Sequence, residues 1–363
     1  MGIWIVLAVA FASAAAHAQI RTRNVVLIVS DGLRWQEVFN GADATLLNET
    51  NGGVWESASA LQAKFGGETA AERRMKLFPF FWNTIAHQGQ LYGNRALGSD
   101  AHVTNPYAFS YPGYNEMITG EGDPRIDKNE FGPNPNVGVF EWLNKQPDVA
   151  GKVEVFGTWE TFKDIFNVKR SNLPVHAGWG IDAETGSVDG DRLFAQLLKT
   201  TTRFDDEDLD NSLLQPVLLQ AIRVRHPRVL FVGYGATDNW AHAGRYDLLL
   251  ESAHQFDAFV RELWNTMQAM PEYKDQTTFL ITADHGRGSG PVEWKEHGVD
   301  EKGSANIWIA AIGPDTPALG ERTNVTVTQA QLAATIAALL GKDYRTFDER
   351  AARELADVVR IQH

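Results

Sequence analysis

The apolar positions of this chain fall into short unbroken runs, separated by stretches with helical spacing. Val25-Val26-Leu27-Ile28-Val29 is continuous and leads into Ser30-Asp31-Gly32. A run without polar alternation suits a strand buried on both faces of a parallel sheet. Similar runs predict strands at 153–156, 229–234, 277–282 and 307–312. Between them the period changes. Leu249, Ala253, Phe256, Val260, Leu263 and Met267 recur at intervals of three and four, along one face of a helix. Another helix is predicted over 329–340, with Thr328 as its cap, Gln331 at the capping-box position and Gly341 as its stop. A shorter one over 80–87 follows from Pro79 in the first turn and Gly89 beyond the end. Strands alternating with helices predict an α/β fold, a mostly parallel central sheet with helices on both faces.

The chain has 363 residues, 44% of them hydrophobic and 22% charged, and no internal repeat or linker-like tract. That suits a single domain over 19–363. Residues 40–69, rich in Gly, Asn and Ala, read as an insertion, and 160–205 as a variable cap region. Ile3 to Phe11 is apolar and Ala16-His17-Ala18 has small-x-small form. Residues 1–18 are therefore expected to be a signal peptide, and the protein to be exported, periplasmic or secreted. The stretch is too short to span a bilayer, so no stable membrane insertion is expected. There is no cysteine. Disulfides and a lipid-modified cysteine are excluded, which leaves the core and bound metal to stabilise an exported protein. Oligomeric state leaves no trace in the sequence.

The net charge of −13 and the lack of a Lys/Arg run exclude a nucleic-acid-binding surface. An anionic substrate would need bound cations to draw it in.

Candidate chemistry gathers where strands end. The first run meets Asp31, the run at 229–234 leads to Asp238, and the run at 277–282 leads to Asp284. In open α/β sheets ligands bind outside the carboxyl ends of strands. Three carboxylates converging there would repel one another unless cations lay between them. His242 follows Asp238 by one helical turn, His285 adjoins Asp284, and His297 comes twelve residues after His285. Aspartate with imidazole suits zinc, with manganese as the alternative. Taken singly, each Asp reads equally as a turn residue or helix cap, Asp238 included. Ser110, in Phe109-Ser110-Tyr111-Pro112-Gly113, stands where a loop enters a helix. It reads either as a helix cap or as a nucleophile set in the anion-favouring field of a helix N-terminus.

These segments together resemble the alkaline phosphatase superfamily, nearest its nucleotide pyrophosphatase/phosphodiesterase branch. The resemblance rests on Ile28-Val29-Ser30-Asp31-Gly32, Phe109 through Gly120, Thr237-Asp238-Asn239-Trp240-Ala241-His242, Thr282 through Gly286 and Glu296-His297-Gly298, in family order. It implies two divalent cations, zinc in the family. One would be held by Asp238, His242 and His297. The other would be held by Asp31, Asp284, His285 and Ser110, the last also serving as nucleophile. It further implies that Asn129 steadies a phosphoryl oxygen, and that the partner is a small phosphorylated substrate. Ser110 stands where that branch usually has Thr, and no Arg follows it closely, which leaves monoester against diester preference open. Lys128, Arg125, Arg287 and Arg34 are candidate phosphate contacts, weighed against ordinary surface charge. Trp159 and Trp179 are candidates for a pocket lining, weighed against the core. The competing functions are a sulfatase or phosphonate hydrolase on the same fold, a phosphate mutase, and a metal-bound protein that recognises phosphate without turnover.

Overall fold

Every residue of the first strand, Asn24–Ser30 (β1), is buried, as its unbroken apolar run requires. The computed structural model describes residues 20–55, 57–181 and 188–359, apart from the side chains of 188 and 189. The expected signal peptide, 1–18, lies outside the described residues, as does part of the expected cap region. The remaining strands are Gln90–Tyr92 (β2), Ser99–His102 (β3), Val153–Gly157 (β4), Val175–Ala177 (β5), Val229–Tyr234 (β6), Thr277–Thr282 (β7), Ile309–Ile312 (β8), Gly320–Glu321 (β9) and Val325–Thr328 (β10). Eight form one sheet in the order β5-β4-β6-β1-β7-β8-β2-β9, and β10 pairs with β3 separately. Only β8 runs antiparallel to its neighbours in the large sheet, so the protein is α/β with a mostly parallel centre.

Helices cover both faces. Those that matter for the site and its support are Ser110–Thr119 (α1), Val139–Asn144 (α2), Asn211–Arg225 (α3), Ala236–His242 (α4), Tyr246–Gln268 (α5) and Gln331–Leu339 (α6). Successive β1 residues divide between two cores, as strand geometry dictates. Val26 and Ile28 pack with Leu214 and Leu218 of α3 and with Leu249, Phe256 and Val260 of α5. Val25, Leu27 and Val29 pack with Met117 of α1, Phe140 of α2 and Ile336 of α6. Burying each such side chain contributes roughly 1.5–3 kcal/mol. The central strands are therefore the part of the molecule least free to shift.

The register then fixes the site. Ser30 is level with Tyr234 on β6, and Val29 is level with Thr282 on β7. Asp31 and Asp284 each come two residues beyond the Val29–Thr282 pair, on neighbouring strands.

Several expected elements differ in detail. Strand β8 starts at Ile309 rather than 307, because Ile307 donates its N–H to Ala101 instead. The last helix starts at Gln331, and the Thr328 side chain does not cap it. Gln331 Oε1 accepts the Thr328 N–H at 2.9 Å, and Glu116 Oε1 accepts the Ala330 N–H at 3.1 Å. The helix expected over 80–87 contains a π turn at Phe81–Ile85. Buried Asp257 supplies its cap, accepting the N–H groups of Phe80 and Phe81 at 2.9 Å each. Residues 40–69, expected to be an insertion, pack against the core. Leu46, Leu61 and Phe65 enter the core, and Trp294 Nε1 donates to Asn51 O at 3.0 Å. Among the described residues no helix is long and apolar enough to cross a membrane.

Candidate metal centre

Asp31 leaves β1 into a turn that only glycine can make. Gly32 has φ of 57°, and a Cβ there would lie 2.6 Å from Asp238 Oδ1 and 2.8 Å from Arg287 Nε. Its bare backbone N–H donates to Asp284 Oδ1 at 3.0 Å. One glycine thus brings the ends of β1 and β7 together while leaving room for Asp238.

Two groups of side chains result: Asp31, Asp284 and His285, all buried, and Asp238, His242 and His297, partly open. Within each group one ligand atom per residue lies within 4.8 Å of the others. In the buried group, His285 Nε2 stands 3.3 Å from Asp31 Oδ1 and 3.5 Å from Asp284 Oδ2. Neither of those oxygens has a hydrogen-bond partner. His285 Nδ1 faces Gly286 O at 2.8 Å, which keeps a proton on Nδ1 and leaves Nε2 as the ligating nitrogen. In the open group, His242 Nε2 lies 3.3 Å from Asp238 Oδ2 and 2.9 Å from His297 Nε2.

The electrostatics favour dications. Burial, then the charge of Asp31, pushes the Asp284 carboxyl above the ordinary carboxylate range. Burial opposes charge on His285, but Asp284 and Asp31 outweigh it and raise its pKa. Without a cation, then, this cluster must hold a proton to offset its carboxylates. Burial and neighbouring positive groups push His297 far below its ordinary value, and burial lowers His242. Both imidazoles are thus biased toward the neutral form that metal ligation requires. Buried orphan oxygens, neutral imidazoles and clustered carboxylates fit a pair of divalent cations.

Ser110 is the first residue of α1, and the helix has no side-chain cap. Its hydroxyl faces His285 Nε2 at 3.3 Å instead. That settles the capping alternative for Ser110, and Asp238 likewise sits inside α4 with Gly235 at the cap position. Asn129 Oδ1 accepts the N–H of Tyr111 at 3.0 Å, which leaves its Nδ2 as a donor beside Ser110. The structure therefore brings Asp31, Ser110, Asn129, Asp238, His242, Asp284, His285 and His297 to one edge of the sheet.

The candidate phosphate contacts fare differently. Arg34 is buried and bonded to Glu37, and Arg287 is buried with its Nη2 donating to Asp238 Oδ1. Arg125 pairs with Asp123, and Lys128 is exposed. None of the four lines the cavity of about 470 Å³ over the centre.

Sequence reasoning missed the groups that hold the ligands. Tyr114 OH donates to Asp31 Oδ2 at 2.8 Å, and Thr237 Oγ1 donates to Asp31 O at 2.5 Å. Gln329 Nε2 donates to Asp284 O at 2.8 Å. Tyr114 was findable, since it lies one helical turn after Ser110. Gln329 was not, because its partner is a backbone carbonyl 45 residues away.

No family model and no curated protein sequence matches the chain. Solved structures do match its fold. The alkaline phosphatase PafA superposes with a TM-score of 0.60 at 10% identity, covering 94% of this chain and 100% of that one. The phosphonate monoester hydrolase SpPMH from Silicibacter pomeroyi gives 0.55 at 12%, covering 92% and 75%. BT1596, described as a 2-O GAG sulfatase, gives 0.53 at 12%, covering 94% and 75%. With its sheet order, its covering helices and these neighbours, the chain has the alkaline phosphatase superfamily fold.

Proposed function

We propose that this protein is an exported hydrolase of phosphate esters that works through Ser110 and two divalent cations, zinc by the character of the ligands. The observation that carries the reading is the Ser110 hydroxyl placed 3.3 Å from His285 Nε2, beside two clusters each able to hold one ion. Asp31, Asp284, His285 and Ser110 would hold one ion, and Asp238, His242 and His297 the other. When bound, the pair would favour the serine alkoxide and supply positive charge to the phosphoryl and leaving oxygens.

The chain's own groups do the rest. Ser110 Oγ attacks phosphorus. The Oγ–P bond forms, the bond to the leaving oxygen breaks, and a phosphoserine results. Water then attacks phosphorus, the Oγ–P bond breaks, and phosphate and free serine are regenerated. The N-terminus of α1 favours negative charge at Ser110, and Asn129 Nδ2 donates to a phosphoryl oxygen. Exposed His242 keeps the second cluster open to the leaving group and to water.

A sulfatase or phosphonate hydrolase is the second reading, favoured by the fold neighbours. Against a sulfatase stands Tyr114 at the fifth position from Ser110, where the sulfatase motif carries Arg. The test is metal analysis paired with rates on p-nitrophenyl phosphate, bis-p-nitrophenyl phosphate and p-nitrophenyl sulfate, with and without chelator. Two ions per chain and chelator-sensitive turnover of a phosphate ester are expected. Faster turnover of the sulfate, or a protein that binds metal but turns over none of the three, would sink the reading.

A further inference from the structure

The cavity wall away from the ligands is built by two segments far apart in sequence. Trp159 and Asp208 form a β-bridge, extended by Leu209 N–H to Thr158 O at 2.9 Å and Glu160 N–H to Glu207 O at 3.1 Å. Trp159 Nε1 donates to Glu207 Oε2 at 2.9 Å, which pins the indole on the cavity lining.

The charge of this lining is one-sided. Glu130, Asp164, Glu207 and Asp208 join the ligands Asp31 and Asp238, and no Lys or Arg lines the cavity among the described residues. Two dications would answer the ligands at the floor, but not the four carboxylates of the wall. Asp208 is the sharpest case. Asn239 hydrogen-bonds its carboxyl, but Oδ1 is buried without a partner, and burial with the charges of Asp205 and Asp31 pushes its pKa up to about 7. A buried acceptor left unmatched is costly and calls for a positive or donating group. A third small dication does not suit the wall. Among the described residues, only the two clusters already assigned bring three ligand atoms within 4.8 Å. Spread carboxylates around a half-buried indole suit a larger, softer cation, as in ammonium recognition by aromatic faces.

We infer that the wall formed by Trp159, Glu207 and Asp208 is a leaving-group subsite for a cationic amino alcohol, so that the substrates are phosphate esters of choline- or ethanolamine-like alcohols. This rests on the phosphate-ester reading above. The phosphoryl group would sit at Ser110 and the ammonium group against the wall.

The test compares phosphocholine with 3,3-dimethylbutyl phosphate, which has the same shape without the ammonium charge, on the metal-loaded enzyme. Glycerophosphocholine serves as a diester arm, and p-nitrophenyl phosphate reports the basal reaction. A preference of about tenfold or more in kcat/KM for the ammonium ester is expected. The preference should fall toward one in Asp208→Asn and, independently, in Trp159→Leu. The same order is expected for affinity in titration calorimetry with metal-loaded Ser110→Ala, which needs no turnover. The choline ester that is cleaved identifies monoester or diester as the source. Equal kcat/KM and affinity for the two alkyl phosphates in wild type, with p-nitrophenyl phosphate still turned over, would overturn this inference alone. Loss of all phosphate-ester turnover would overturn the functional reading beneath it.

Discussion

The Tyr114 hydroxyl donates to Asp31 Oδ2 at 2.8 Å, and so ties the helix that presents Ser110 to the carboxylate at the end of the central strand. Burial, together with the charges of Asp284 and Asp31, raises the Tyr114 pKa well above 10, so the phenol remains a donor at any working pH. Orienting partners of this kind are typically worth about 10–100-fold in metal affinity. Tyr114→Phe should weaken dication binding by about tenfold or more while the protein stays folded. Competition against a chromophoric chelator measures it, and an unchanged affinity would show that the hydrogen bond has no such role.

Ser110→Ala tests the nucleophile. Turnover should fall by at least about a thousandfold, as for other nucleophile deletions, while metal content stays close to that of wild type. Retained turnover would remove Ser110 from the mechanism.

Gly113 tests how closely α1 approaches β7. A Cβ there would lie 2.3 Å from the backbone oxygen of Asp284. Replacing Gly by Ala inside a helix ordinarily stabilises by about 0.5–1 kcal/mol. Here overpacking outweighs that gain, and Gly113→Ala should destabilise by about 1–3 kcal/mol. The lost metal occupancy should accompany it, because Asp284 would be displaced. Denaturant unfolding and metal analysis on the same variant check both effects, and a variant as stable and as fully metallated as wild type would refute the close approach.

The pH dependence of stability should carry the mark of Asp208. Its folded-state pKa is raised from 3.8 to about 7. The folded state therefore holds the proton more tightly than the unfolded chain, and stability contributed by this group falls as pH rises from about 4 to about 7. Asparagine carries no such penalty. In metal-stripped protein, Asp208→Asn should melt at least about 2 °C higher than wild type at pH 8, with the difference vanishing near pH 4. Melting curves across that range settle it, and a gap that grows on acidification would have the wrong sign.

The convergence of the three aspartates was legible because it follows from strand geometry. A short unbroken apolar run suits a doubly buried strand, its carboxyl end lies at the ligand-binding edge, and Asp31, Asp238 and Asp284 each sit within four residues of such an end. The helix Tyr246–Gln268 was legible from its period, and Gln331–Leu339 from Gln331 and Gly341 at its two ends. Trp159 was legible as a candidate for a pocket lining, and it does line the cavity, but the rest of the wall was not legible. Trp159 and Asp208 meet through a bridge between irregular segments about fifty residues apart, and no local period records such a pairing. The packing of the segment at 40–69 was not legible either. Its composition gives no sign that at Gly52 and Gly53 the backbone oxygens of Leu46 and Gly244 come within 1.8 Å and 2.0 Å of where a Cβ would stand. Arg34 and Arg287 also escaped sequence reasoning, since a buried arginine and a surface one look alike until Glu37 and Asp238 are placed beside them.

The two candidate ion positions would draw their acidic ligands from the ends of β1 and β7 and from α4, which follows β6, and these three strands are adjacent in one sheet. Neighbouring rungs in any sheet are about 4.8 Å apart, a distance the backbone sets and side chains hardly alter. The spacing of the two candidate clusters would thus follow largely from the peptide unit itself, while the proposed wall hangs on irregular chain outside the sheet. A change confined to the wall, such as Trp159→Leu, should therefore alter the preference for the released alcohol while leaving the sheet that spaces the two clusters untouched.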